Sequence, residues 1–513
     1  MENSFDVVVI GGALSGASTA FMLLEENPFL KVLIVEKSSA FSRRVGEATV
    51  EISSYFLMRR LGLTGYLGEN HLVKNGLRFW FYNDKTENLS HCSEIGAKYL
   101  VRVPAYQVDR AKLDEEVLQR AVQAGASLWR PANVQKIELN PGGFQRIVIK
   151  QGEKAREISA RWVVDASGMA AVLARQNGWW KPNEDHPTTA VWSRWKNVGD
   201  FDAPALARKY PGWADGFFGI RNTATNHLMG PGWWAWWIPL KGGDVSIGVT
   251  FDQRLVSFPK DDSLGPRLKQ FLLQHPVARE LMADASPVEG DVHWRKNLPY
   301  HTTTHAGDGF VLVGDAAGFI DPFYSPGMDW IAFTTSRAVK LILSQQRGEA
   351  IEPLLQRHNT DFSRSYHRWF DAIYRDKYEY FGEYDLVRVG FLLDLGFYYL
   401  GVASQPFRRG RVGLEEPLFS TAPSVPFYHL IRFYNRRLAA IGRTRRNLES
   451  TGQSNDRRRF LFSGFTFSPL SGRHIIYGLL DWFRIEVTEG WRTWLSDSPG
   501  KRPTEVQKVM GKD

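Results

Sequence analysis

"FDVVVIGGALSGASTAFMLLEE", residues 5–26, runs from a β-branched apolar stretch through glycine into a small-and-apolar segment. Asp6 to Ile10 reads as a short strand, and Ser15 to about Leu24 as a helix. Between them lies Gly11-x-Ala13-x-x-Gly16, a dinucleotide fingerprint with alanine at its middle position. Gly11 permits the tight turn. A small residue at Ala13 lets backbone N–H groups approach a pyrophosphate, and Gly16 lets the helix pack close to the strand. Gly12 and Ser15 belong to the same turn and join the cofactor-binding candidates. A second strand, "KVLIVEK" at 31–37, ends at Glu36, twenty residues after Gly16. A carboxylate there is placed to meet a ribose hydroxyl.

Two further strands end in polar turns: "ARWVVDASG" (160–168) at Asp165, and "VLVGDAAGFIDP" (311–322) at Gly314-Asp315. "YQVDRAKLDEEVLQRA", 106–121, reads as a helix entry carrying Arg110. In this order the segments resemble the FAD-binding domain of glutathione-reductase-type flavoproteins, in its monooxygenase branch. The resemblance implies that Asp315 holds the ribityl chain and phosphate, that Arg110 and Asp165 lie near the cofactor, and that FAD binds non-covalently. The implied fold is α/β. Residues 1–185 and 300–345 form a glutathione-reductase-type FAD-binding domain, 186–299 an antiparallel-sheet substrate domain, and 346–513 a mostly helical C-terminal region.

"WWAWWIPL", 233–240, holds four tryptophans in five positions. As a strand it puts Trp234, Trp236 and Ile238 on one face, with Trp233 and Trp237 on the other. That pattern alone fits either a wall between two compartments or the aromatic filling of a core. Trp234-x-Trp236-x-Ile238-Pro239 is similar to the WxWxIP signature of flavin-dependent halogenases. "VGEATV" (45–50), with Glu47 and Ala48, resembles the family's segment beside the flavin. "DPFYSPG" (321–327) resembles its loop by the isoalloxazine. The resemblance implies a sequence of events: reduced FAD and oxygen give a flavin hydroperoxide, halide attacks it, and hypohalous acid crosses to the substrate. The indoles would be the partition, and a lysine beyond them would deliver the halogen, either by hydrogen-bonding the acid or as a haloamine. Lys74, in "ENHLVKNGLRFWF" (69–81), occupies the expected place.

Two positions depart from the family pattern. Tyr324 stands where tryptophan halogenases carry a glutamate, which points to phenols, pyrroles or carrier-tethered groups instead of free tryptophan. Pro326 has no N–H to offer chloride or bromide, leaving the Ser325 hydroxyl and the Gly327 amide as the halide site; Gly327 also counts among the cofactor contacts. A monooxygenase or other oxidoreductase of the same fold that does not halogenate therefore stays open as a second reading. A third is a membrane- or carrier-associated flavin reductase.

Composition bounds the partners. The chain has 513 residues, is 43% hydrophobic and 23% charged, and carries one cysteine, Cys92. No disulfide framework or multi-cysteine metal site can be built from it, and neither a metal nor nucleic acid is expected. The opening residues enter a strand at once, with no basic leader, so a cytoplasmic setting is expected. No second glycine fingerprint is evident for a nicotinamide, so reduced flavin is expected from a separate flavin reductase. Twelve arginines between Phe407 and Phe460 offer a surface for anionic lipid, phosphate or an acidic partner. "VGFLLDLGFYYLGVAS" (389–404), interrupted by Asp394, reads as a buried or interfacial helix. "STGQSNDRRR" (450–459) reads as a mobile loop.

Overall fold

Ser4–Ile10 forms a strand with its last four residues fully buried, and Leu14–Glu26 forms the helix that follows. Burial on both faces is what a central parallel strand requires, and it explains the unbroken Val7–Ile10 run. The strand pairs in parallel with Val32–Val35 on one side and Lys154–Asp165 on the other. Phe310–Leu312 and Ser127–Trp129 extend this parallel core outward. Asn133–Glu138 and Gln145–Gln151 add an antiparallel hairpin along Lys154–Asp165. The helices Leu14–Glu26, Arg110–Gln123 and Gly327–Gln346 pack side by side against it. This computed structural model describes residues 4–101, 105–464 and 472–496, without the side chains at 402, 405, 406, 411, 412 and 494–496.

The second sheet reaches outside the 186–299 segment. In spatial order it runs Ser286–Pro287, Thr188–Lys196, Val245–Asp252, Trp233–Pro239, Thr225–Gly230, Leu77–Phe81, Ser93–Ala97 and Arg459–Phe462, with His293–Lys296 also along Thr188–Lys196. Most pairs are antiparallel. Thr225–Gly230 meets Leu77–Phe81 in parallel, and Arg459–Phe462 meets Ser93–Ala97 in parallel. The tryptophan strand alternates as its sequence predicts. Trp234, Trp236 and Ile238 join the large core shared with the first sheet, while Trp233, Ala235 and Trp237 join a separate core under Phe201, Trp213 and Phe271.

The C-terminal region is built on Glu352–Trp369, Tyr384–Phe397, Val425–Asn447 and Gly472–Ile485. The 389–404 stretch is internal through Phe397, and Asp394, 2% exposed, pairs with Lys377. Among the described residues no helix is long and apolar enough to cross a membrane.

Two expectations are corrected here. Residues 450–459 are tethered: the buried Asn455 amide donates to the Tyr82 and Gly382 carbonyls, 2.8 Å each, and its oxygen accepts from Tyr384 N. Several arginines of 407–460 are spent on carboxylates of the fold. Arg445 bonds Glu383, Asp385 and Glu489, Arg437 bonds Glu486, Arg446 bonds Glu379, and Arg432 pairs with Asp371. A guanidinium fork held against carboxylates satisfies both partners, so part of the excess seen in the sequence is neutralised, while Arg408, Arg409, Arg436, Arg457, Arg458 and Arg459 stay exposed. The Arg411 side chain lies outside the described residues.

Candidate active site

The first turn is a backbone cradle. Gly11 sits at φ +99°, and a Cβ on it would stand 2.5 Å from the Ala166 carbonyl oxygen. A Cβ on Gly16 would collide with the Gly11 carbonyl oxygen. Strand, turn and helix therefore close only with glycine at both positions. Ala13 ends the turn in an extended conformation as the residue before the helix, directing the helix N-terminal N–H groups outward. Ser15 lies against Gly314, which joins the 311–317 turn to the cradle. Glu36 accepts from Gly12 N at 2.8 Å and from Ser38 N at 2.8 Å.

The two aspartates divide. Asp165 is wholly buried and accepts from Ser167 N (3.0 Å) and Leu173 N (2.8 Å), with burial raising its carboxyl. Its two oxygens shape the turn. Asp315 is half-buried, and its carboxylate meets no hydrogen-bond donor among the described residues. Burial pushes its carboxyl up to about 6, opposed by Arg110 and Arg295. Arg110 is held by Asp114 (3.0 Å) and faces the carbonyls of Val45 and Gly46, 3.4 Å each. A Cβ-free cradle at a helix N-terminus with an unpartnered carboxylate beyond it fits FAD: amides for pyrophosphate, Asp315 for hydroxyls of the ribityl chain.

The 45–50 segment is pinned to its neighbour. Ala48 bridges Gln107, Val108 N donates to Glu47 O (2.7 Å), and Thr49 N donates to Tyr106 O (2.9 Å). The Glu47 side chain turns away to Arg194, whose other arm holds Asp109 at 2.9 Å. Burial pushes Glu47 up to about 7, with Arg194 opposing. Arg194 was not singled out by the sequence, since nothing local marks one arginine of a strand as a bridge.

Next to this segment opens a largely apolar cavity. Lys74 lines it together with Thr49, Glu51, Tyr324, Pro326 and Asp329. Lys74 is 2% exposed, and its ammonium donates to the Thr49 carbonyl at 2.8 Å. Burial lowers its pKa to about 8, partly opposed by Glu51 and Asp329. The neighbours Leu72 and Val73 do not supply that burial, for Val73 is half exposed on an edge strand. Asp329 accepts from Ser53 N (2.9 Å) and from the Tyr398 hydroxyl (3.2 Å), and burial pushes its carboxyl up to about 7. Glu51 and Asp329 were missed in the sequence, though each lies within two residues of a motif segment.

The 321–327 loop is strained on purpose. Tyr324 and Ser325 are consecutive non-glycine residues at φ +64° and +58°. Each such residue costs on the order of 1–3 kcal/mol and persists only where its surroundings hold it. Asp321 accepts from Phe323 N at 2.9 Å, Ser325 N donates to Pro322 O at 3.0 Å, and Trp330 Nε1 donates to Gly314 O at 3.1 Å. The Tyr324 hydroxyl points to Asp394 at 3.3 Å. Pro326 precedes the 20-residue helix Gly327–Gln346. The N–H groups of Gly327 and Met328 in its first turn have no intrahelical acceptor, so Met328 adds a donor to the expected Ser325 and Gly327.

The tryptophans expected as a partition stand behind this loop. Neither Trp234 nor Trp236 lines the cavity; Tyr324, Leu77 and Phe391 do. Trp234 packs edge-on against Phe323, with ring centres 5.2 Å apart, and donates to the Tyr378 hydroxyl at 3.0 Å. Tyr378 in turn donates to Asp321 at 3.0 Å, and His186 closes the chain at 2.9 Å. Trp236 donates to Ser246 at 3.2 Å, and Ile238 and Pro239 continue the same buried strand. The indoles are a backing layer that braces the strained loop. Trp234→Ala is expected to destabilise the fold by about 3–5 kcal/mol, while Trp234→Phe should cost roughly 1 kcal/mol for the lost N–H bond. Thermal and urea melts of the two variants check the difference.

Comparison with known proteins gives four matches. The tryptophan halogenase family model matches residues 84–377. A flavin-dependent halogenase of Dictyostelium discoideum is 26% identical over 366 residues, a match spanning 64% of this chain and 58% of that protein. A 1H-pyrrole-2-carbonyl-[peptidyl-carrier protein] chlorinase of Pseudomonas fluorescens is 26% identical over 393 residues, spanning 73% of this chain and 81% of that one. In three dimensions the halogenase PltM, solved with phloroglucinol and FAD, superposes with a TM-score of 0.72 at 17% identity, covering 95% of this chain and 99% of that one.

Proposed function

This chain belongs to the tryptophan halogenase family, and from that premise we propose that it is an FAD-dependent halogenase of an electron-rich, phenol-like aromatic. One observation carries the reading: Lys74 is buried, its pKa lowered to about 8, in the cavity it shares with Thr49 and Pro326 of the two flavin-side segments. Gly11, Gly12, Ala13, Ser15 and Gly16 cradle the FAD pyrophosphate, Glu36 takes the adenosine ribose, and Asp315 and Arg110 hold the ribityl end. Reduced FAD, supplied by a separate flavin reductase, provides with oxygen the two-electron oxidant that turns halide into hypohalous acid.

The chain's residues do the rest. The neutral Lys74 amine attacks the halogen of hypohalous acid, giving an N-halo lysine and water. The ring then takes the halogen from nitrogen, and the amine is restored with the proton the ring loses. Asp329, held near 7 by burial, accepts that proton on the way, and Glu51 accepts a hydrogen bond from the substrate hydroxyl. The Tyr324 hydroxyl is committed to Asp394, so nothing at that position reads an indole N–H, and a phenol fits better than free tryptophan. The halide is held by the Ser325 hydroxyl and the N–H groups of Gly327 and Met328.

Mass spectrometry of products from a panel of phenols, pyrroles and carrier-tethered acyl groups, with reductase and either halide, tests the proposal. Halogenated phenols are the expected product. Hydroxylated products alone, with both halides present, would instead identify a monooxygenase.

The missing amide at Pro326 sets the halide preference. Loss of one donor to a buried anion costs about 1–3 kcal/mol, and chloride, the more strongly hydrated ion, suffers it more. Bromination is therefore expected to exceed chlorination at equal halide, and Pro326→Thr should narrow the gap. Competition between the two halides in one reaction, read by product mass, checks it.

A further inference from the structure

We infer that the outer face of the helical segment 472–492 is a docking surface for an anionic lipid layer. The segment runs through Gly472–Ile485, Glu486–Gly490 and the start of Trp491–Ser496, roughly 30 Å of continuous helix. Its exposed large apolar side chains are Ile476, Tyr477, Leu479, Leu480, Phe483, Val487 and Trp491, with Leu480 at 61% and Phe483 at 69% exposure. Ile476, Leu480, Val487 and Trp491 follow one another with Arg473 and Arg484 at spacings of three and four, which sets these six in one stripe.

The charges are sorted as sharply. Asp481, Glu486 and Glu489 turn inward to Arg388, Arg437 and Arg445. The exposed ionic groups of the face are Arg473, Arg484 and Arg492. A stripe of aromatic and aliphatic groups interrupted only by cations is the pattern of an interfacial helix on acidic lipid. This is not the Phe407–Phe460 arginine run, several of whose charges are paired within the fold.

Charge selects the occupant. A second copy of this chain in a two-fold arrangement would bring the same three arginines together with no acid between them. A folded protein partner would leave this face poor in hydrogen-bonding groups, since beyond the guanidinium groups it offers the Thr488 hydroxyl and the Tyr477 hydroxyl. Lipid asks only for apolar insertion and headgroup phosphate. Position adds to the case. Arg473 bonds Ser463, and Ser463 and Leu100 line the rim of the cavity. Leu100 is exposed, as are Tyr99 and Phe218, which stack with ring centres 5.7 Å apart. The cavity mouth and the lipid face thus adjoin.

The test is co-sedimentation of the full chain with vesicles of phosphatidylcholine alone or mixed with phosphatidylglycerol, alongside light scattering without lipid. Binding to the anionic vesicles and a monomer in solution are expected. Leu480→Ser with Phe483→Ser should weaken binding tenfold or more, since both apolar side chains are withdrawn from the lipid. Arg473→Glu with Arg484→Glu should remove the preference for the anionic vesicles. All four positions are exposed, so an unchanged melting temperature is expected and verifies folding. Vesicle binding that ignores both variants would overturn the inference. So would absence of vesicle binding together with a dimer, or a complex with an acidic carrier protein, that Leu480→Ser with Phe483→Ser dissolves. None of these readouts depends on halogenation.

Discussion

Replacing Lys74 with alanine is expected to abolish halogenated product while reduced flavin is still oxidised and hydrogen peroxide accumulates. The loss should reach on the order of a hundredfold to ten-thousandfold, the range for removing a positioned group that takes part in bond making. Arginine at the same position should fail equally, because a guanidinium stays protonated and offers no lone pair. The pH profile carries the sign. Burial lowers the Lys74 pKa from 10.5 to about 8, so the reactive free amine grows as pH rises through about 8. Product formation should therefore rise with pH across that value in the native enzyme. The measurement is product and peroxide quantified together, with flavin reduction supplied chemically so that the reductase sets no limit. A Lys74→Ala enzyme that halogenates at the native rate removes Lys74 from the reaction. A profile that falls through about 8 would transfer the active role to the ammonium form.

Gly11→Val is expected to remove FAD binding. At φ +99° a β-branched residue is strained in any surroundings, and here its Cβ would also press on the Ala166 carbonyl at 2.5 Å. The turn must open, and opening it moves the N–H groups that face the pyrophosphate. Affinity should fall by about a hundredfold or more, read by quenching of flavin fluorescence on titration. Because the variant also risks the fold, Glu36→Gln serves as the partner measurement. It keeps an acceptor for one of the Gly12 and Ser38 amides, which Glu36 takes on separate oxygens, and removes the charge from the ribose contact. Roughly tenfold weaker binding is expected, with circular dichroism unchanged. Unaltered FAD affinity in both variants would refute the cradle.

The two experiments probe groups of different legibility. Gly11, Gly16 and Glu36 could be read because their task is set within one strand–turn–helix–strand unit. The alternation of Trp233 to Pro239 could be read for the same reason, since side chains change face at every residue of a strand. Lys74 could be proposed from its place in the chain, but not its chemistry. Its lowered pKa comes from burial beside Thr49, Tyr324 and the helix around Tyr398, which are far apart in sequence. Composition misled about charge for a related reason. Twelve arginines counted along 407–460 looked like one surface, yet Arg432, Arg445 and Arg446 find partners at Asp371, Glu379, Glu383 and Asp385, which precede them in the chain.

The sequence by itself determined the dinucleotide unit, the parallel strands that frame it, and the two-faced tryptophan strand. These depend on backbone sterics and side-chain direction among residues close together in the chain. Only the tertiary structure decided that Asp165 shapes a turn while Asp315 stays unpartnered, and that the indoles brace the flavin-side loop from behind. It alone left the cationic apolar stripe at 472–492 exposed. Those outcomes are sums of burial and charge over groups that chain closure brings together, and no local pattern contains such a sum.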